Sequence, residues 1–72
     1  MKITYDAEAD AMSITFRHTT VTTKDLGDGL AADFDSNGVL AGIEILDASK
    51  RSGGEEALRR VILEGIGLKV AK

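Results

Sequence analysis

Cysteine, proline and tryptophan are absent from this chain, and its only aromatic residues are Tyr5, Phe16 and Phe34. Without cysteine there is no disulfide to brace the fold and no thiol to act as a nucleophile. With so few aromatics the core must rely on Ile, Leu, Val and Ala. No apolar run approaches the ~18 residues of a membrane span, and the N-terminal stretch lacks the apolar segment of a signal peptide, so a cytoplasmic location is the simplest expectation. The catalytic inventory is equally thin. There is one histidine, His18, and no serine in a nucleophile-elbow setting. Carboxylate pairs such as Asp6 with Asp10, or Asp33 with Asp35, need a dry cleft to split their pKa values, and a short chain rarely builds one. A non-enzymatic protein without a cofactor is expected, with a site at an oligomer interface as the remaining enzymatic alternative.

Seventy-two residues make one domain. A chain this short buries only about 60% of the surface its unfolded form exposes. Ordering it costs on the order of 100 kcal/mol. A thin core with no disulfide to support it favours self-association, and a homo-oligomer, most simply a dimer, is expected.

Charge is unevenly placed. Residues 1–47 carry nine acidic side chains against three basic ones, whereas residues 48–72 carry six basic against three acidic, within a net charge of −3. Phosphate binding needs a net basic face, so this split favours a basic protein partner or head-to-tail self-pairing over nucleic acid. Two solvated surfaces of different composition are the plainer alternative.

The hydropathy pattern alternates like strands over most of the chain. Lys2–Tyr5 alternates, Asp6–Asp10 interrupts with turn-prone acids, and Ala11–Arg17 alternates again with Met12, Ile14 and Phe16 on one face, which predicts a hairpin. His18–Thr20 connects to a Thr-rich strand over Val21–Leu26, and Gly27-Asp28-Gly29 supplies positive-φ residues for a turn. Leu30, Ala32 and Phe34 then share a side, and Asp35-Ser36-Asn37-Gly38 turns the chain, with Asn37 and Gly38 suited to the left-handed conformation. Val39–Leu46 has apolar residues on both faces, which predicts a central strand covered on two sides. Ser52-Gly53-Gly54-Glu55 reads as a capping box, and Leu58, Val61, Ile62 and Gly65 follow helical spacing, so a helix over 53–64 is expected to provide the cover. Glu55 with Arg59, Glu56 with Arg60, and Arg60 with Glu64 would decorate its outer face. Ile66, Leu68 and Val70 alternate like a short terminal strand, able to join its own sheet or a neighbouring protomer's. The fold class is thus α+β: an antiparallel meander sheet of four or five strands, one C-terminal amphipathic helix and a strand-like tail over 66–72.

Three motifs suggest ligands. Residues 33–44 fit the calcium-loop template D-x-[DN]-x-[DN]-G-x5-E, with Asp33, Asp35, Asn37 and Glu44 as donors. That loop needs flanking helices, and its flanks here alternate like strands, so the residues are assigned to a hairpin, with a weak surface ion site as the alternative. Gly27-Asp28-Gly29-Leu30-Ala31-Ala32 matches G-x-G-x-x-A yet opens a strand, which removes it from dinucleotide binding. Lys50-Arg51-Ser52-Gly53-Gly54 precedes a helix start and is a candidate anion turn, opposed by Glu55 and Glu56 in the first turn.

Tyr5-Asp6-Ala7-Glu8-Ala9-Asp10-Ala11, Leu26-Gly27-Asp28-Gly29, Asp33-Phe34-Asp35-Ser36-Asn37-Gly38 and Gly42-Ile43-Glu44-Ile45-Leu46-Asp47-Ala48-Ser49, in this order and spacing, resemble a small prokaryotic family known as domain of unknown function 2283. The resemblance covers residues 1 to about 50. Ser13 departs from it, since similar sequences tend to carry an aromatic residue there. The resemblance implies no catalytic, metal or cofactor residue. It implies small cytosolic proteins, some encoded beside toxin-like proteins, and hence an antitoxin-like binding role. The functional expectation is a binding module for a basic protein, with an ion- or anion-binding protein as the alternative.

Overall fold

Five strands, β1 (Lys2–Asp6), β2 (Ala11–Thr15), β3 (Thr22–Gly27), β4 (Leu30–Phe34) and β5 (Leu40–Leu46), are followed by two short helices, α1 (Ala48–Ser52) and α2 (Glu55–Leu58). They are seen in a computed structural model that describes residues 1–65. All neighbouring strands are antiparallel, and the spatial order is β1-β2-β5-β4-β3. A hairpin, β1–β2, and a meander, β3–β4–β5, therefore meet side by side through β2 and β5. The most apolar strand takes the centre, as its composition requires. The Thr-rich β3, exposed along its whole length, takes an edge, where water satisfies its outer backbone groups.

Each reversal has a local cause. Asp28 (φ 54°) and Gly29 (φ 75°) form the two-residue loop between β3 and β4, with the paired positive φ angles of a type I′ turn. Between β4 and β5 the Gly38 amide donates to the Asp35 carbonyl at 2.9 Å, and the Asp35 amide donates to the Val39 carbonyl at 2.9 Å. Gly38 carries the positive φ there (79°), while Asn37 does not. The chain folds back at residues 36–38, so the segment resembling a calcium loop is a hairpin.

Strand register sorts the side chains into rows. Tyr5, Met12, Ile45 and Leu30 lie opposite one another across four strands, and Ile3, Ile14, Ile43 and Ala32 form the next row. These rows make one face apolar. The other face carries Thr4, Ser13, Glu44, Ala31 and Asp25 in one row and Lys2, Thr15, Gly42, Asp33 and Thr23 in the next.

The expected helix over 53–64 is not formed. Ser52 closes α1 and caps nothing, and Gly53 (φ 91°) and Gly54 (φ 115°) break the chain before the four-residue α2. Two adjacent glycines in left-handed or extended positive-φ geometry outweigh the helical spacing of Leu58, Val61 and Ile62, because isolated helical turns are marginal without packing. Of the expected charge pairs, Arg59 meets Glu56 at 3.4 Å one residue closer than drawn from the pattern. Val61, Ile62 and Leu63 are exposed, and the helices sit at one end of the sheet, where the Ala48 amide donates to the Asp10 carbonyl at 3.0 Å. Neither lies over β5 as a cover. The strand expected over 66–72 lies outside the described residues. No helix among the described residues is long and apolar enough to cross a membrane.

Candidate functional site

The polar face owes its shape to a missing side chain. Gly42 stands opposite Asp33, and a Cβ at that position would lie 3.0 Å from the Ile14 carbonyl oxygen and 3.3 Å from Asp33 Oδ2. With hydrogen there instead, the Asp33 carboxylate lies back across the central strand. Thr23 Oγ1 donates to Asp33 Oδ1 at 2.5 Å from one side. From the other, Asp33 shares a hydrogen bond with the Glu44 carboxyl, which raises the Glu44 pKa above the usual carboxylate range, with partial burial and the Asp33 charge adding to it. Two carboxyls thus share a position where, among the described residues, no basic side chain pairs with either.

Beside this pair is an open hollow of about 300 Å3 between the β3–β4 turn and the end of β5. Asp25, Asp28 and Glu44 supply carboxylates, while Ala31 and Leu46 supply apolar wall. Asp25 Oδ1 accepts the Gly27 amide at 2.8 Å, which holds the turn. Arg51 closes one end, with its Nε donating to the Leu46 carbonyl at 2.9 Å and its guanidinium to the Asp28 carbonyl. Apolar wall below a carboxylate rim suits a side chain with an aliphatic stem and a cationic head, that is, lysine or arginine.

The proposed calcium donors do not converge. Asp33 and Glu44 come together, but Asp35 turns away to hold its own hairpin, its Oδ1 accepting the amides of Asn37 (2.8 Å) and Val39 (2.9 Å) and its Oδ2 accepting Arg17 at 2.6 Å. The Val39 amide first, then Arg17 and the Asn37 amide, lower the Asp35 pKa. Among the described residues no group of three acids or histidine is placed to hold a metal ion. The Asp6 and Asp10 pair is likewise committed. Asp6 accepts the amides of Glu8 (3.0 Å) and Ala9 (3.4 Å). The anion turn spends its donors internally, since the Gly54 amide donates to the Ser49 carbonyl at 2.6 Å and Arg51 belongs to the hollow.

A second cluster escaped the sequence reading. Asp10, in left-handed conformation (φ 51°), accepts the Tyr5 hydroxyl at 2.7 Å, the Ser49 amide at 3.0 Å and the Ser49 hydroxyl at 2.8 Å. Its pKa is lowered, by Tyr5 first and the Ser49 amide next, and the Tyr5 pKa is pushed up to about 12 by the bond to Asp10. One carboxylate therefore ties the first hairpin to the start of α1. Asp10 beside Tyr5 was visible in the chain, but nothing local announces Ser49, thirty-nine residues on.

No curated protein and no solved structure matches the chain. The profile of a family described as protein of unknown function (DUF2283) matches residues 2–49. That span holds all five strands and ends on Ser49, so it contains Tyr5, Asp10 and Ser49 together with Asp25, Asp33 and Glu44. The chain belongs to the DUF2283 family.

Proposed function

We propose that the chain is a protein-binding module, antitoxin-like in character, that receives a basic side chain of a partner protein in the hollow on its polar face. The observation that carries this reading is the Glu44 carboxyl, set against Asp33 and lining a hollow with apolar wall. A bound ammonium or guanidinium would favour the charged form of Glu44 and return its pKa toward the ordinary carboxylate range. The site draws on a few specific acids, because many others in the N-terminal half cap turns or tie elements together and are unavailable as a general acidic surface. Partner binding of this kind is steered by charge and weakens with salt, which screens over ~8–10 Å at ordinary ionic strength.

The test is a calorimetric titration with a short peptide of alternating Arg and Ala, run at low and high salt, with the Glu44 carboxyl followed by NMR. Binding should weaken as salt rises, the Glu44 pKa should fall on saturation, and Glu44→Gln should weaken binding at least tenfold. Glu8→Gln, which removes a charge from the first turn, should leave binding unchanged. Equal losses in the two variants, or a Glu44 resonance that ignores the peptide, would reduce the effect to net charge and remove the site.

A further inference from the structure

We infer that the apolar face of the sheet is covered by a second copy of the same chain, forming a two-layer sandwich that leaves both acidic hollows facing outward. A sheet with one apolar face needs a second layer to bury it. Here none is present among the described residues. The fully buried apolar residues are three alanines, Ala32, Ala41 and Ala48, while Ile3 and Phe16 are each 42% exposed. The chain's radius of gyration is 14.1 Å, against ~11 Å for a compact chain of this length. Its accessible surface is 5670 Å2, against ~4300 Å2 expected for its mass.

Geometry and charge select the occupant. The helices are tied to the end of the sheet by Asp10, Leu46 and Asp28 and do not reach across it. Residues 66–72 reach at most ~24 Å even when fully extended, and a single chain that long has the width of only about one strand, ~5 Å, so it covers a minor part of the face. A copy of the sheet itself matches the area. Five strands at ~4.8 Å and five residues at ~3.3 Å give a face of roughly 24 by 17 Å, or on the order of 600–800 Å2 of accessible surface per copy, and the pair reaches the ~1200–2000 Å2 typical of stable interfaces.

A two-fold interface sets the same patch against itself, so a charged patch meets its own sign across the axis. By strand register, the apolar face carries one charge, Lys24 on the edge strand β3, whereas Lys2, Asp25, Asp33 and Glu44 fall on the other side. The face with its single charge at the edge strand is the one suited to self-pairing. The one carboxylate that meets this face, Asp10, is held at its end by Tyr5 and Ser49, and the hollow lies on the opposite side, so this interface is separate from the proposed hollow.

The experiment uses the full chain, whose lack of cysteine makes single-site labelling clean. Light scattering should give twice 7.6 kDa at micromolar concentrations. Phe16→Asp should raise the dissociation constant at least 100-fold. Because folding and association are linked in that variant, a second measurement is independent of it. Isotope-labelled chains mixed with unlabelled chains spin-labelled at Phe16→Cys should show broadened amides at Ile14 and Ile43, while a label at Thr4→Cys, on the polar face, should leave them sharp. Four results would overturn the inference: a folded monomer at all concentrations, broadening confined to the β1 or β3 edge, stronger broadening from Thr4→Cys, or loss of the dimer on deleting residues 66–72.

Discussion

Replacing Gly42 with alanine tests the account of the polar face at its narrowest point. The backbone at Gly42 is outside the left-handed region, so alanine meets no conformational objection. The objection is spatial, because the new methyl would sit 3.0 Å from the Ile14 carbonyl oxygen and 3.3 Å from Asp33 Oδ2. Overpacking of this kind costs ~1–3 kcal/mol. Alanine also restricts the unfolded chain, which returns ~0.4–1 kcal/mol. The net loss is then ~1–2 kcal/mol. At ~4–8 °C per kcal/mol for a domain this small, the Tm should fall by ~5–15 °C, measured by circular dichroism at a fixed protomer concentration because association is linked to stability. The same methyl pushes Asp33 off its seat, so the raised Glu44 pKa should relax toward its ordinary value, read by carboxyl NMR. Gly38→Ala is the comparison. It enters open space but carries φ +79°, so it should cost a similar ~1–2 kcal/mol while leaving Glu44 untouched. A Gly42→Ala protein as stable as the parent, with Glu44 still titrating high, would refute the argument that glycine is what allows Asp33 to reach its partner.

Tyr5 is the one tyrosine in a chain without tryptophan, so its ionisation is directly visible in the ultraviolet and should centre at about 12. In Asp10→Asn it should move toward 10.0, and a parent chain that already titrates there would remove the Asp10 contact. Because the folded pKa of Tyr5 is raised, its support for the fold is complete below pH 10.0 and is lost as pH climbs through about 12. Asp10 and Asp35 are lowered, so their support is complete above the unfolded value of 3.8 and is lost as pH falls below it. Circular dichroism across pH should show both limbs, with Asp10→Asn flattening the alkaline one. Gly29→Ala should destabilise through both its φ of +75° and a methyl 2.9 Å from the Arg51 guanidinium. In an Arg51→Ala background only the first cost remains, so the penalty should shrink. Equal penalties in the two backgrounds would show that Arg51 does not press on the turn.

Local chemistry determined much of this protein. Period-two alternation, the Asp28-Gly29 loop and the turn at residues 35–38 are short-range features, settled by backbone sterics and hydrogen bonds within a few residues, and they place all five strands to within a residue or two. The same strand flanks identified a hairpin where a calcium template matched residue by residue. The family resemblance was legible for the same reason, since it rests on those turns.

Tertiary structure decided the rest. Which strand lies beside β2 depends on burying β5 and wetting β3, a comparison between distant segments that no single window contains. The helical spacing over residues 58–65 gained no sheet to pack against, so the two glycines at 53 and 54 prevailed over it. Ser49 reaches Asp10, Arg51 reaches Asp28, and Gly42 clears a place for Asp33 only once the sheet has assembled. Sequence patterning fixes which side of each strand is apolar. Only the assembled sheet reveals that nothing in residues 1–65 covers that side, because coverage belongs to the packing of layers.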